Sequence, residues 1–140
     1  MGSSGSSDAQ FDARGQGMNV VGTGVDLVEV ERFSHSIERW GDRLLRRLFA
    51  PSELAYAQGR KSSVQHLAAR FAAKEAVVKA LGAPKGLGLK WVDLVISNNP
   101  QGQPQVSFLG TLSRWADHQV QLSLTHTKQF AVATALVLKA

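Results

Sequence analysis

The sequence predicts an α+β domain in which an antiparallel sheet packs against a long alanine-rich helix and shorter helices. Three observations lead to this class: an apolar, β-branched segment near the start, helical periodicity in the middle, and strand-like alternation in the last third. This order differs from the regular strand–helix alternation of a doubly wound parallel sheet. With 140 residues, of which 44% are hydrophobic, the chain has enough apolar material for the core of one domain.

The chain divides into a leader and one domain. Residues 1–17 begin with a serine- and glycine-rich segment and show no clear periodicity, so we expect them to be a disordered expression leader. Residues 18–140 are predicted to form the single folded domain.

The domain opens with a strand candidate at residues 19–28. Gly22 and Gly24 lie among β-branched residues, where glycine suits a bend or the close approach of another backbone. Apolar residues then recur at three- and four-residue steps, which predicts an amphipathic helix that Gly41 divides in two. Pro51 marks the start of a second helix. The apolar stripe of the first helix is expected to consist of Phe33, Ile37, Trp40, Leu44 and Leu48.

The strongest helix prediction covers about Gln65 to Leu81. Alanine has the highest helix propensity and occurs throughout this segment, and Gly82 suits a C-terminal cap. We expect its core stripe to contain Leu67, Phe71, Val78 and Leu81. Further along, the pattern predicts a glycine-rich loop at 82–88, strands at 92–97 and 106–108 around a turn at 98–102, a short helix at 111–117, and a hairpin of 120–124 with 130–137.

The composition restricts the possible functions. Without cysteine the chain has no disulfide, thiol nucleophile or thiolate metal site. Its longest apolar run, 131–138, is too short to span a bilayer, which favours a soluble cytoplasmic protein without a membrane partner. The formal net charge of +5 favours anionic partners. Nucleic acid is not expected among them, because no binding motif or basic segment with stacking aromatics accompanies the charge.

Glu75 and Lys79 are the clearest candidates for chemistry. They lie one turn apart on the face of the alanine-rich helix that also carries Ala68 and Ala72. Small methyl groups around a carboxylate and an ammonium leave room for a ligand or a second backbone. The alternative from spacing alone is a surface salt bridge.

Asp26 is the second candidate, at the end of the apolar first strand. An acid in that position needs a partner or a cleft, although it also suits capping of the next helix. Together with Glu75 it could hold Mg²⁺, which takes one or two protein carboxylates and completes its shell with water and phosphate.

The first helix and the last hairpin offer further candidates. Spacing places Arg32, Arg39, Arg43 and Arg46 on one helix face, either as a solvated face or as a docking surface for an acidic partner. His126 follows a strand, where a histidine binds phosphate, relays a proton or is simply a turn residue.

Three blocks of the sequence resemble one known family. They are residues 22–32, residues 70–82, and residues 122–126 together with 130–132. The middle block, F-A-A-K-E-A-x-x-K-A-L-G, is highly specific. From Val20 to the C-terminus the chain resembles the holo-[acyl-carrier-protein] synthases, which are small 4′-phosphopantetheinyl transferases.

The resemblance implies a 4′-phosphopantetheinyl transferase-like fold and a reaction. Members transfer the 4′-phosphopantetheine group from coenzyme A to a serine of apo acyl carrier protein, release 3′,5′-ADP and support fatty acid biosynthesis. It implies that Asp26 and Glu75 bind the catalytic Mg²⁺ and that Lys79 contacts the phosphates of coenzyme A. Arg70 and Lys74 receive a lesser, cofactor-supporting role.

The family also implies partners. Arg32 and Arg39 match basic positions that dock the acidic recognition helix of the carrier protein, and His126 matches a histidine that assists phosphate binding in some members. A homotrimer with active sites at subunit interfaces is expected. A module that only binds coenzyme A or carrier protein is the alternative, and its binding would not depend on Mg²⁺.

Overall fold

The structure is a computed structural model that describes residues 17–83 and 86–140. Its helices and strands follow the predicted order, so the α+β class is confirmed. All but the last residue of the predicted leader lies outside the described residues, as do Pro84 and Lys85 of the glycine-rich loop. The elements are β1 (Asn19–Glu29), α1 (Val30–Leu48), α2 (Pro51–Ala57), α3 (Ser63–Leu81), β2 (Leu94–Asn98), β3 (Pro104–Phe108), β4 (Gln119–His126) and β5 (Phe130–Lys139).

The strands form two antiparallel sheets. The larger has the order β1-β5-β4, with the first strand beside the last, and the smaller is the pair β2-β3. The predicted C-terminal hairpin is therefore confirmed, and the short helix predicted at 111–117 is a 3-10 turn at Gly110–Trp115. A second 3-10 turn, Trp91–Asp93, replaces the first residues of the strand predicted at 92–97. Within the described ranges, no helix is long and apolar enough to cross a membrane.

Helix α3 is the central element and is buried on most of its circumference. Most of its alanines are buried, and several of them have no exposed surface, as do Lys74 and Val77. The predicted core stripe needs correction, because Phe71 and Val78 are only partly buried, whereas Leu67 and Leu81 are buried. Small side chains allow neighbouring elements to approach α3 closely on several sides. The fully buried alanines are Ala68, Ala72, Ala73 and Ala76.

Strand β1 makes the closest of these approaches. A Cβ atom added at Gly22 would lie 2.1 Å from the carbonyl oxygen of Ala80, and one at Gly24 would lie 2.0 Å from that of Ala76. No side chain fits at either position, because real Cβ contacts are longer than 3.0 Å. The prediction that these glycines allow close backbone approach is confirmed.

Helix α1 breaks at Gly41, as predicted. Gly41 has φ 60° and ψ −146°, a conformation that only glycine adopts readily. Phe33 and Leu48 are buried as the apolar stripe requires, but Trp40, next to the break, is 55% exposed. The stripe prediction is therefore wrong at Trp40, because the kink ends the helical periodicity there. Helix α2 begins at Pro51, in agreement with its sequence signal.

Candidate active site

Asp26 and Lys79 meet where β1 passes the last turn of α3. Side chains alternate along a strand, so Asp26 shares with Gly22 and Gly24 the face of β1 that packs against the helix. The ammonium of Lys79 donates hydrogen bonds to Asp26 Oδ1 at 2.9 Å and to the carbonyl oxygen of Val25 at 3.0 Å. The Asp26 side chain is 13% exposed and that of Lys79 55%, so the pair is open to solvent on the lysine side.

Glu75 lies beside this pair, one turn before Lys79 on α3. Burial raises the pKa of the Glu75 carboxyl above its ordinary value, and the negative charge of Asp26 and a side-chain hydrogen bond with it raise the pKa further. The positive charge of Lys79 opposes this shift. The structure thus brings the three predicted residues together as two mutually repelling carboxylates and one cation.

The two carboxylates have the donor chemistry for Mg²⁺. They are hard oxygen ligands on two rigid elements, and a divalent cation between them would remove their repulsion. In the part of the chain that the structure describes, no group of three or more His, Cys, Asp or Glu could hold a metal ion. Mg²⁺ does not need such a group, because water and substrate phosphate normally complete its coordination. Asp26 and Glu75 therefore fit the predicted ion.

Arg70 and His126 line a separate cavity of about 310 Å³ formed by α2, α3, the β2-β3 pair and β4. The Arg70 guanidinium donates to the carbonyl oxygen of Ile96 and, at 2.8 Å, to Oδ1 of Asn98. It also lies 4.3 Å from the centre of the Tyr56 ring. A cation held from three sides beside a histidine suits an anionic ligand such as a phosphate group.

Two residues of this cavity, His66 and Tyr56, were not among the predicted site residues. The His66 ring is 5.4 Å from that of His126 and 6.4 Å from that of Tyr56. Burial lowers the pKa of His66, and the charges of His126, Arg60 and Arg70 lower it further. Periodicity gave no signal for this cluster, because its members come from three different elements.

Within one chain, the predicted site residues fall into two groups: Asp26, Glu75 and Lys79 on one side, and Arg70 with His126 in the cavity. The 310 Å³ cavity is lined by neither Asp26, Glu75 nor Lys79. Lys79 instead borders a groove of about 830 Å³ on the outer face of the larger sheet. That face also carries exposed apolar side chains of β1, with Val25 58% and Leu27 55% exposed.

Lys74 requires a correction. Its side chain has no exposed surface, so it cannot contact a cofactor as expected. The ammonium donates to Glu53 Oε1 at 2.6 Å and to the carbonyl oxygens of Leu48 and Trp91 at 2.7 and 3.0 Å. All three protons are thus used inside the protein. Burial lowers the pKa of Lys74, and the negative charge of Glu53 opposes that shift.

Arg32 and Arg39 line a groove of about 490 Å³ on the first half of α1, together with His35 and Trp40. The guanidinium of Arg39 lies 5.1 Å from the centre of the Trp40 ring. The predicted single face of arginines is wrong beyond Gly41, because the kink turns the second half of the helix and its arginines border a different groove. Those later residues are Arg43, Arg46 and Arg47.

Comparisons with known proteins agree on one family. The family model of the 4′-phosphopantetheinyl transferase superfamily matches residues 22–135, which include every predicted site residue. A holo-[acyl-carrier-protein] synthase of Koribacter versatilis is 41% identical over 122 residues, covering 84% of this chain and 98% of that protein. The synthase of Desulforudis audaxviator is 46% identical over 121 residues, covering 84% and 92%.

A solved structure shows the same fold. The holo-(acyl-carrier-protein) synthase of Bacillus anthracis, in complex with CoA (3′,5′-ADP), aligns with a TM-score of 0.72 at 31% identity, covering 86% of this chain and 98% of that one. The predicted 4′-phosphopantetheinyl transferase-like fold is thereby confirmed. On the family model, the relatives and the fold together, this chain belongs to the 4′-phosphopantetheinyl transferase superfamily, in the family of the holo-[acyl-carrier-protein] synthases.

Proposed function

We propose that this protein transfers 4′-phosphopantetheine from coenzyme A to a serine of apo acyl carrier protein in the cytoplasm, in support of fatty acid biosynthesis. The observation that carries the proposal is the cluster of Asp26, Glu75 and Lys79, two carboxylates and a cation held together by β1 and α3 within the matched family segment. The curated relatives are named for this reaction.

The reaction makes two demands on the site. The serine oxygen forms a bond to the β-phosphorus of coenzyme A, and the bond from that phosphorus to the bridging oxygen breaks, so that 3′,5′-ADP leaves with the electron pair. The serine must lose a proton, and the pyrophosphate charge must be compensated. Glu75 accepts the proton, directly or through a water molecule, because it is a carboxylate of the cluster whose basicity burial increases.

Charge compensation falls to the other groups of the cluster. Asp26 and Glu75 would hold Mg²⁺, which when bound neutralises charge on the pyrophosphate. Lys79 donates to the phosphates, since its ammonium lies on the solvent side of the cluster and its side chain is more than half exposed.

Coenzyme A also needs a site for its nucleotide. The cavity of Arg70 and His126 has the fixed cation and the histidine that a phosphate group requires, and the 310 Å³ volume is at the lower end of small-molecule sites. The Bacillus anthracis relative, solved with CoA (3′,5′-ADP), supports this class of ligand.

The acidic helix of the carrier protein binds the groove on the first half of α1. Arg32 and Arg39 are the cations of that groove, beside Glu29 and Glu31 at its start, and Trp40 adds an exposed apolar surface. Two guanidinium groups one above the other on the helix pair with carboxylates of an acidic helix and fix its orientation.

We further propose a homotrimer in which neighbouring subunits share each active site. Two observations support it. The cavity of Arg70 and His126, here called the phosphate cavity, is not lined by the carboxylate cluster, which is Asp26, Glu75 and Lys79. The outer face of the larger sheet also carries exposed Val20, Val25 and Leu27. An apolar face of this kind is typical of a subunit interface.

Release of 3′,5′-ADP tests the proposed reaction against the alternative of a binding module. Chromatography of the nucleotide products is expected to show 3′,5′-ADP only when coenzyme A and apo carrier protein are both present. Release without carrier protein would indicate hydrolysis of coenzyme A. No release, despite measured binding of coenzyme A, would indicate a binding module.

A further inference from the structure

The described residues include one fully buried ion pair, Glu53 of α2 with Lys74 of α3, and the proposed reaction assigns it no role. Neither side chain has exposed surface, and the Lys74 Nζ–Glu53 Oε1 distance is 2.6 Å. Such a pair is costly to desolvate, and apolar replacements are often equally stable. Its presence therefore calls for an explanation other than stability.

Glu53 also binds two backbone groups. Its Oε1 accepts the N–H of Ala50 at 2.8 Å, and its Oε2 accepts the N–H of Ile96 at 3.0 Å. Lys74 holds Oε1 in place from the opposite side and ties it to the end of α1 through the Leu48 carbonyl oxygen. Both carboxylate oxygens are thus fixed, and one of them is fixed on β2.

Ile96 connects this carboxylate to the proposed nucleotide cavity. Its N–H is bound by Glu53, and its carbonyl oxygen is bound by the guanidinium of Arg70. Among the described residues, strand β2 pairs only with β3, so the side chains of Glu53 and Arg70 occupy its other edge as a neighbouring strand would. A displacement of Ile96 would therefore displace the acceptor that orients Arg70.

Helix α2 reaches Arg70 by a second route. Tyr56, one turn after Glu53, places its ring 4.3 Å from the Arg70 guanidinium carbon. The same helix thus orients the guanidinium through Ile96 and through an aromatic face.

We propose that Glu53 is a positioning residue for coenzyme A binding: through Ile96 it orients Arg70 in the wall of the 310 Å³ cavity. The inference rests on the proposed function, because it takes that cavity as the site of the coenzyme A nucleotide. Glu53 does not line the cavity, and it acts on the ligand only through the Ile96 peptide groups and Arg70.

A double-mutant cycle tests the coupling. Calorimetric titration with coenzyme A is expected to show an affinity loss of about tenfold for Glu53→Gln, since the misplaced guanidinium loses a charge-assisted hydrogen bond. In an Arg70→Gln background, adding Glu53→Gln is expected to change the affinity no further. Equal losses in both backgrounds, or none in the Arg70 wild-type background, would overturn the proposal.

Asp93→Asn is the matched control for general loosening. Asp93 anchors the same small sheet by accepting hydrogen bonds from the N–H and hydroxyl of Thr111, both on Asp93 Oδ2, at 2.9 and 2.7 Å. It has no hydrogen bond to Ile96 or Arg70. We expect this variant to melt at a lower temperature and to keep its affinity. A tenfold affinity loss here as well would mean that Glu53 has only a structural role.

Two provisions keep the test decisive. If Glu53→Gln does not fold because Lys74 loses its charged partner, Glu53→Leu with Lys74→Met replaces the ion pair by apolar side chains and leaves the Ile96 N–H without its acceptor. Nitrogen-15 spectra of the arginine side chains can be recorded without ligand. In the wild type the guanidinium of Arg70 is expected to rotate slowly, because its hydrogen bonds restrain it, and in either Glu53 variant it is expected to rotate fast. If the wild type binds no coenzyme A, the proposed function fails, and this spectrum still decides whether Glu53 orients Arg70.

Discussion

Asp26 and Lys79, 53 residues apart in the sequence, are joined by a hydrogen-bonded ion pair of 2.9 Å across β1 and α3. The contact exists because Gly22 and Gly24 let the backbone of β1 reach that of the helix. The same approach places Asp26 beside Glu75. Two glycines, which have no side chain, thus determine the geometry of the candidate active site.

Gly24→Ala tests this dependence. The new Cβ would lie 2.0 Å from the carbonyl oxygen of Ala76, so β1 must move away from α3 and carry Asp26 with it. Overpacking of this kind destabilises a protein by about 1–3 kcal/mol. A misplacement of about 1 Å at a catalytic group costs about 100-fold in rate. Denaturant unfolding and the transferase rate measure the two effects.

Gly17→Ala is the control for that substitution. A Cβ at Gly17 meets nothing within 4 Å, and the residue has no left-handed backbone. We expect normal stability and rate. A Gly24→Ala protein as active as this control would show that the close approach does not position Asp26.

The raised pKa of Glu75 predicts a pH-dependent stability without metal. A raised folded-state pKa contributes stability that is fully present below the unfolded value, near the ordinary 4.5, and is lost as pH rises through the folded value. Glu75→Gln removes this loss. In EDTA, the melting temperature of the variant minus that of the wild type is therefore expected to increase as pH rises from 4.5 to 8.

Addition of Mg²⁺ provides the second half of that experiment. The ion binds the ionised carboxylates, so it should stabilise the wild type more at pH 8 than at pH 5 and have little effect on Glu75→Gln. A melting difference that does not change with pH would contradict the environment assigned to Glu75.

Arg39→Glu separates carrier docking from coenzyme A binding. Reversal of one charge in the α1 groove should raise the KM for apo carrier protein about tenfold and leave the KM for coenzyme A unchanged. Arg114→Glu is a suitable control, because Arg114 also lies over a tryptophan, Trp115, but outside that groove. Equal rises in the KM values for carrier protein and coenzyme A would mean that Arg39 does not act specifically in carrier docking.

A shared active site predicts complementation between inactive chains. Lys79→Ala disables the carboxylate cluster and Arg70→Gln disables the phosphate cavity. When the two variants are co-expressed with different tags and purified as mixed oligomers, activity should return, because some interfaces combine an intact cluster with an intact cavity. Mixed oligomers no more active than the separate variants, or a monomer in sedimentation, would contradict the proposed trimer.

Local patterns were sufficient for much of the fold. The Gly82 cap, the Gly41 break and the Pro51 helix start depend on the backbone chemistry of single residues, and the structure contains all three. Local position also made Asp26 and Glu75 candidates, but only the family resemblance paired them, because spacing cannot show that a strand and a distant helix meet.

Apart from the errors caused by the Gly41 kink, the failures share one cause: spacing along a helix does not show what packs against it. Phe71 was expected in the core, yet the alanine face is the buried one, since β1 and other elements approach it. Lys74 was expected to face a cofactor, yet Glu53, 21 residues earlier, holds it inside the protein. His66 and Tyr56 line the 310 Å³ cavity only because tertiary contacts bring their helices to it.

Intact mass spectrometry of an apo acyl carrier protein is the most direct test of the whole account. After incubation with this protein, coenzyme A and Mg²⁺, the carrier is expected to gain the mass of one phosphopantetheine. EDTA and Asp26→Ala should each abolish the gain. A carrier that gains no mass would contradict the transferase reaction, and an undiminished gain with Asp26→Ala would contradict the role of the Asp26–Glu75 pair.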